Sequence, residues 1–336
     1  MLIQKIIPFF RSKEPQYVKA RKIAAAIVFS LLILALIFML PWPEIFTVLR
    51  QTNFGPVIAA FLLILPSMYL GAISLGVVME RQDIFLHPLR ILSINLTISF
   101  YEIVIPATLF GSGLRWYRFS QASKKPAESF AAITYYKIFT TFLAILLSFG
   151  FLFLTDEESI HTNVLQITVL LIITAAVLLL IPWISQKVLE QFNRFWPAEP
   201  SSRVLSKIKA VIVKLLEAFS EFEKLKLQHQ LYLVLLGLGA QLLQLISYIL
   251  IARGIGIDLT FAQFGILRAL TLLASNLPIN LSPGVGMREI SLVALLVAMG
   301  VTLEYASAMS LLVLARAIFS GLLGGVIEAV TILRSK

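Results

Sequence analysis

Pro106-Ala-Thr-Leu-Phe-Gly111-Ser-Gly113-Leu-Arg115 and Pro278-Ile-Asn-Leu-Ser-Pro283-Gly284-Val-Gly286-Met-Arg288-Glu289 are two versions of one pattern, each beside an apolar run. Both read proline, a few residues, then Gly-x-Gly-[Leu/Met]-Arg. Proline and glycine interrupt helices, and hydrocarbon tolerates open backbone only where protein or a wet cavity covers it. An arginine near membrane depth is costly and is usually kept for function. Two such interruptions, one in each half of a chain, point to a transport site between structural repeats.

The surrounding sequence sets the class. Charged residues make up 14% of the chain, against about 25% in soluble domains. Apolar runs recur along its whole length, so the expected fold is all-α. It is a polytopic membrane bundle of six to eight spans, with two broken or re-entrant segments and an inverted repeat. We read residues 1–336 as one transmembrane domain, with halves at about 1–154 and 155–336. The basic start is followed by a run, Ile23 to Leu40, long enough to span and lacking a small-residue cleavage site. Cysteine is absent, which removes thiolate chemistry and disulfides. The net charge of +10 fits contact with an anionic inner leaflet rather than nucleic acid, since no soluble module carries a base-reading surface.

Charge bias orients the spans. Residues 1–22 hold six Lys/Arg and one acid, and residues 185–228 hold eight Lys/Arg. Both are expected in the cytoplasm. The loop 155–163, with Asp156, Glu157 and Glu158 and no Lys/Arg, is expected outside. Arg334 and Lys336 place the C-terminus inside, which suits an inner or plasma membrane protein. The run 91–110 is expected to enter and return, because spanning would put Arg115, Arg118, Lys124 and Lys125 in an outer loop at 111–129. For residues 261–300 charge bias leaves two spans and one hairpin equally open. Within 201–227, Val204, Ile208, Val211, Leu215, Phe219 and Phe222 recur at helical spacing among charges. This predicts an amphipathic helix on the cytoplasmic interface. The competing reading is a packing or dimerising helix, and a homo-oligomer is admitted.

The segment Gly284-Val-Gly286-Met-Arg288-Glu289-Ile-Ser-Leu-Val-Ala-Leu-Leu, then Gly300-Val301 and Ala308 through Arg316, resembles the C-terminal signature of the lysylphosphatidylglycerol synthase transmembrane-region family, also called the flippase-like domain family. The element around Gly111–Arg118 resembles its other signature, and the likeness covers about residues 20–332. The resemblance implies a helical domain that moves lipids between leaflets, aminoacylated phosphatidylglycerol among them. The large soluble aminoacyl-transfer domain of the bifunctional synthases has no counterpart here, so synthesis of lysyl-lipid is not expected. Where the family often carries an acidic-basic pair, this sequence reads Tyr136-Lys137.

On these grounds Arg115 and Arg288 are candidates for phosphate capture through the planar guanidinium fork. Gly111, Gly113, Gly284 and Gly286 would permit close backbone approach, and Asn276 and Asn280 would serve open backbone or the ligand. Glu289 is not expected to face Arg288, its neighbour on a helix, so Arg316 or Arg268 is its expected partner. Glu102 is a coupling carboxylate or the structural partner of Arg115. Gly321, Gly324 and Gly325 form a small-residue packing face, and Glu328 is read as interfacial. The histidines are scattered, so no metal is expected. No cofactor is implied, and no nucleotide motif or nucleophile elbow appears. The expected activity is movement of an anionic phospholipid or lipid-linked headgroup, not catalysis. The rival readings are a membrane-embedded lipid-modifying transferase, with Glu102 or Glu289 as its acid, and a non-transporting scaffold that recruits a partner through 201–227.

Overall fold

The computed structural model describes residues 42–104, 108–152, 187–191, 194, 203–221, 227–276 and 287–334. The expected spans at 22–40 and 164–184, the loop 155–163, and Asn280, Gly284 and Gly286 lie outside the described residues. The principal helices are α1 (Trp42–Gln51), α2 (Phe54–Leu62), α3 (Ile64–Glu80), α4 (Pro88–Val104), α5 (Thr108–Ser123), α6 (Pro126–Leu152), α7 (Arg203–Ser220), α8 (Leu227–Ile255), α9 (Phe261–Asn276), α10 (Met287–Ala298) and α11 (Leu303–Arg334). Among the described residues there is no strand. The protein is an all-α membrane bundle. Among the described residues three helices are long and apolar enough to cross a bilayer: Phe54–Glu80, Gln228–Ile255 and Leu303–Leu333.

Local chemistry sets the helix ends. Asn53 caps α2, its Oδ1 accepting from the Gly55 amide at 3.1 Å. Thr260 and Gln263 form a reciprocal box at the start of α9: the Thr260 amide donates to Gln263 Oε1 at 2.8 Å, and the Gln263 amide donates to Thr260 Oγ1 at 3.2 Å. Pro88 and Pro126 open α4 and α6, at the position where a missing N–H costs nothing. Gly256, at φ +85°, stops α8 in a backbone conformation that side chains disfavour.

The first Gly-x-Gly differs from the expected opening. Residues 111–123 are helical rather than loop, and Gly111 and Gly113 sit inside α5. An interior glycine costs a helix only about 1 kcal/mol, so the pair does not end one. Residues 105–107, with Pro106, and residues 277–286 lie outside the described residues.

The centre of the bundle is an antiparallel pair. The Asn53 amide donates to Gly254 O at 2.8 Å, Ser247 Oγ to Ala60 O at 2.9 Å and Ser67 Oγ to Ala240 O at 3.1 Å. Position rises along α2–α3 as it falls along α8, in equal steps on both, so one register holds along the contact.

Around this pair the packing repeats. Exchange α2–α3 with α8, α4 with α9, α5 with α10 and α6 with α11, and the neighbours are preserved. Thus α4 packs on α11 while α9 packs on α6, α5 joins α4 to α6 while α10 joins α9 to α11, and α1 lies on α11 while α7 lies on α6. Two apolar cores follow. One gathers Ile45, Val57, Ile251, Leu267, Leu292 and Met309, and the other gathers Leu75, Met79, Ile98, Phe119, Ala131 and Leu233.

Among the described residues α4 and α11 cross closely. A Cβ on Gly324 would collide with the Leu96 carbonyl, and one on Gly325 would meet the Phe100 ring at 2.8 Å. Small residues here let two backbones touch.

The amphipathic segment is helical over Arg203–Ser220 and packs on α6. Ala218 is buried, Gln82 Nε2 donates to Ala218 O at 2.6 Å, and Lys214 Nζ lies 3.4 Å from Glu128 Oε1. Part of its apolar face is therefore spent on protein, which departs from a helix resting on lipid alone.

Candidate functional site

Three arginines gather, one from each of three consecutive helices: Arg268 on α9, Arg288 in the first turn of α10 and Arg316 midway along α11. Arg316 is buried at 6% exposure. Its Nη1 donates to Ser247 Oγ at 2.7 Å and its Nη2 to Gln244 Oε1 at 3.1 Å, both on α8. Gln244 in turn donates from Nε2 to Ser67 Oγ at 3.0 Å, which carries the network onto α3. Every acceptor in this chain is neutral. The guanidinium carbons of Arg316 and Arg268 lie 5.4 and 5.5 Å from the centre of one ring, that of Tyr248, within cation–π range. The Nε of each lacks a hydrogen-bond partner. Each of these two arginines also feels the positive charge of Arg288.

Glu289 is buried and pairs with Arg288, whose Nε donates to Glu289 Oε1 at 2.6 Å. This corrects the expected pairing with Arg316 or Arg268. Adjacent positions on a helix do diverge, but both residues sit in its first turn, where long side chains can curl back together. Among the described residues no carboxylate pairs with Arg268 or Arg316.

A second charged group lies beside the first interruption. Arg115 Nη2 on α5 is 3.8 Å from Glu102 Oε1 on α4, with the side chains 36% and 45% exposed. So open a pair contributes little to stability. Lys137 on α6 feels both charges, attracted by Glu102 and repelled by Arg115. Arg115 and Arg288 thus belong to separate clusters, one in each half.

Sequence reasoning missed a second enclosed ion pair. Glu328 on α11, expected at the interface, is buried and paired with Arg118 on α5. Tyr101 Oη donates to Glu328 Oε1 at 3.0 Å, and the Arg118 guanidinium lies over the Tyr101 ring at 5.6 Å. The available signal was an acid inside the last apolar run, which calls for a partner. Glu328→Gln should lower the melting temperature by several degrees, and Arg118→Gln should add little to it. A double-mutant cycle checks this: additive losses would mean the two residues do not act on each other.

The remaining expected residues are placed plainly. Gly111 and Gly113 lie on α5, and a Cβ on Gly113 would meet nothing within 4 Å. The expected close approach at Gly113 is therefore absent, because the backbone there is regular helix rather than an opened loop. Asn276 ends α9. Among the described residues no group of three or more His, Cys, Asp or Glu gathers in metal-binding fashion.

No curated protein and no solved structure matches the chain significantly. The family model described as the lysylphosphatidylglycerol synthase TM region matches residues 23–325. With nearly the whole chain covered, and with helices of spanning length in the structure, the protein belongs to the lysylphosphatidylglycerol synthase transmembrane-region family.

Proposed function

We propose that this protein is a flippase-like transporter that moves an anionic phospholipid or lipid-linked headgroup between leaflets. The observation that carries this reading is the group of three arginines with one paired carboxylate, tied through Gln244 and Ser67 to the other half. A phosphate crossing a low-dielectric region needs a cation along its route. Guanidinium groups supply two-point hydrogen bonds to phosphate oxygens. The acyl chains would stay in the bilayer while the headgroup passes between the halves.

The two halves are read as an inverted repeat. Their equivalent central helices run antiparallel, and the helices around them keep the same neighbours on exchange. In this reading α4–α5 and α9–α10 are re-entrant hairpins. Their lengths, 17, 16, 16 and 12 residues, fall short of the about 20 a span needs. The hairpins would enter from opposite faces, so that Arg115 and Arg288 serve opposite surfaces. Both termini would be cytoplasmic in a plasma membrane. Single-cysteine labelling in this cysteine-free chain should modify position 124 from the cytoplasmic side and position 301 from the outside. Labelling of both from one side would remove the inversion.

Transport without chemical change is the activity expected. Purified protein in proteoliposomes should move a fluorescent anionic phospholipid between leaflets and return it chemically intact. A new lipid species, formed on adding a labelled acyl or sugar donor, would favour the transferase reading instead.

A further inference from the structure

Among the described residues the charges of this arginine group do not balance. Arg268, Arg288 and Arg316 bring three positive charges, and Glu289, bound to Arg288, brings one negative charge. Residues 277–286, between α9 and α10 in the sequence, contain no Asp or Glu. Among the described residues the hydrogen-bond partners of buried Arg316 are neutral, and the Nε groups of Arg268 and Arg316 have none. Burying charge in protein or lipid without compensation is expensive. A site that keeps such an excess is built for an anion that arrives with the ligand. A singly charged phosphodiester would offset half of it. A zwitterionic or cationic headgroup would offset none.

Resting on the lipid-transport reading, we infer that this site takes a lipid headgroup carrying two negative charges, a terminal phosphomonoester or a diphosphate, in preference to a phosphodiester. Arg288 faces the ligand first, since its side chain is 27% exposed. Arg268 and Arg316, both on the Tyr248 ring, complete the neutralisation. The neutral oxygens of Ser247 and Gln244 accept from Arg316 and fix it without spending a carboxylate on it. The cationic charge thereby stays available.

The test uses the full chain in detergent and three probes: dodecyl phosphate, its singly charged methyl ester, and inorganic phosphate. At pH 8 dodecyl phosphate should bind at least about 10-fold tighter than the methyl ester, because the site repays a second charge. At pH 5 the advantage should shrink to about 2-fold or less, because a phosphomonoester loses its second ionisation near pH 6. The methyl ester has no such step, so it controls for protonation of Glu289 or any other group of the site. Arg268→Gln should remove most of the preference, and Arg268→Lys should retain part of it. Equal binding of the two esters at pH 8, or a preference that survives intact at pH 5, would overturn the assignment. Inorganic phosphate binding as tightly as dodecyl phosphate would overturn its lipid part. The transport reading is judged separately in proteoliposomes. If phosphatidic acid and phosphatidylglycerol move at equal rates and the esters bind equally, transport stands and the dianion is lost. If neither lipid moves while the monoester preference holds, the headgroup assignment stands and transport is lost.

Discussion

Arg316→Met should abolish lipid translocation and leave the protein as stable as the wild type, or more so. Arg316 is buried against Ser247, Gln244 and the Tyr248 ring with no acidic partner among the described residues. A buried charge replaced by an apolar side chain of similar volume is commonly neutral or gains about 1–4 kcal/mol. The hydroxyl of Ser247 keeps its bond to Ala60 O, and the Gln244 amide keeps its bond to Ser67, so few polar groups are orphaned. A gain in melting temperature together with loss of transport separates a residue held for function from one held for folding. A large fall in melting temperature would place Arg316 among the structural residues. Thermal unfolding and translocation measured on one preparation decide the point.

Gly324→Leu should prevent assembly of the bundle. A Cβ at this position would collide with the Leu96 carbonyl, and backbone atoms have no rotamer with which to yield. Overpacking a core costs about 1–3 kcal/mol where side chains adjust. Here α4 and α11 must separate, so the loss should exceed that range. Even Gly324→Ala should lower the melting temperature strongly. Gly113→Ala is the matched control. It meets nothing within 4 Å and should be neutral, or gain up to about 1 kcal/mol from helix propensity. Size-exclusion profiles and thermal unfolding in detergent compare the two. A well-behaved Gly324→Leu protein would contradict the close crossing.

The contrast between these glycines shows what was legible in the sequence. The long apolar runs gave the central and last helices nearly to their observed ends, because length and hydropathy are local properties. The first Gly-x-Gly was misread as an opened loop, since glycine permits an open backbone but does not require it. The pairing of Arg288 with Glu289 and that of Arg118 with Glu328 depend on side-chain direction and on how α11 lies across α4 and α5. Neither is encoded in spacing along the chain. Tyr248 was invisible for a related reason. An aromatic residue in the middle of an apolar helix reads as packing until two arginines are found on its ring. Arg268 and Arg316 were singled out as partners for one acid, whereas they stand together as an excess of cation.

The proposed repeat was partly legible. The two proline-glycine-arginine patterns lie at matching places in the halves, which suggested duplication. The antiparallel course of α2–α3 against α8, which supports the proposed inversion, became readable only from the hydrogen bonds that tie 53 to 254, 60 to 247 and 67 to 240.

The measurement that bears most directly on the account is leaflet-resolved movement of an anionic phospholipid in proteoliposomes, comparing wild type, Arg288→Lys and Arg288→Ala. The account predicts movement by the wild type well above protein-free vesicles. Arg288→Lys should move the lipid more slowly, because the two-point fork is lost while the charge remains. Arg288→Ala should fall to background with its fold intact. Wild-type movement by a folded Arg288→Ala protein would contradict the claim that the arginine cluster carries the headgroup.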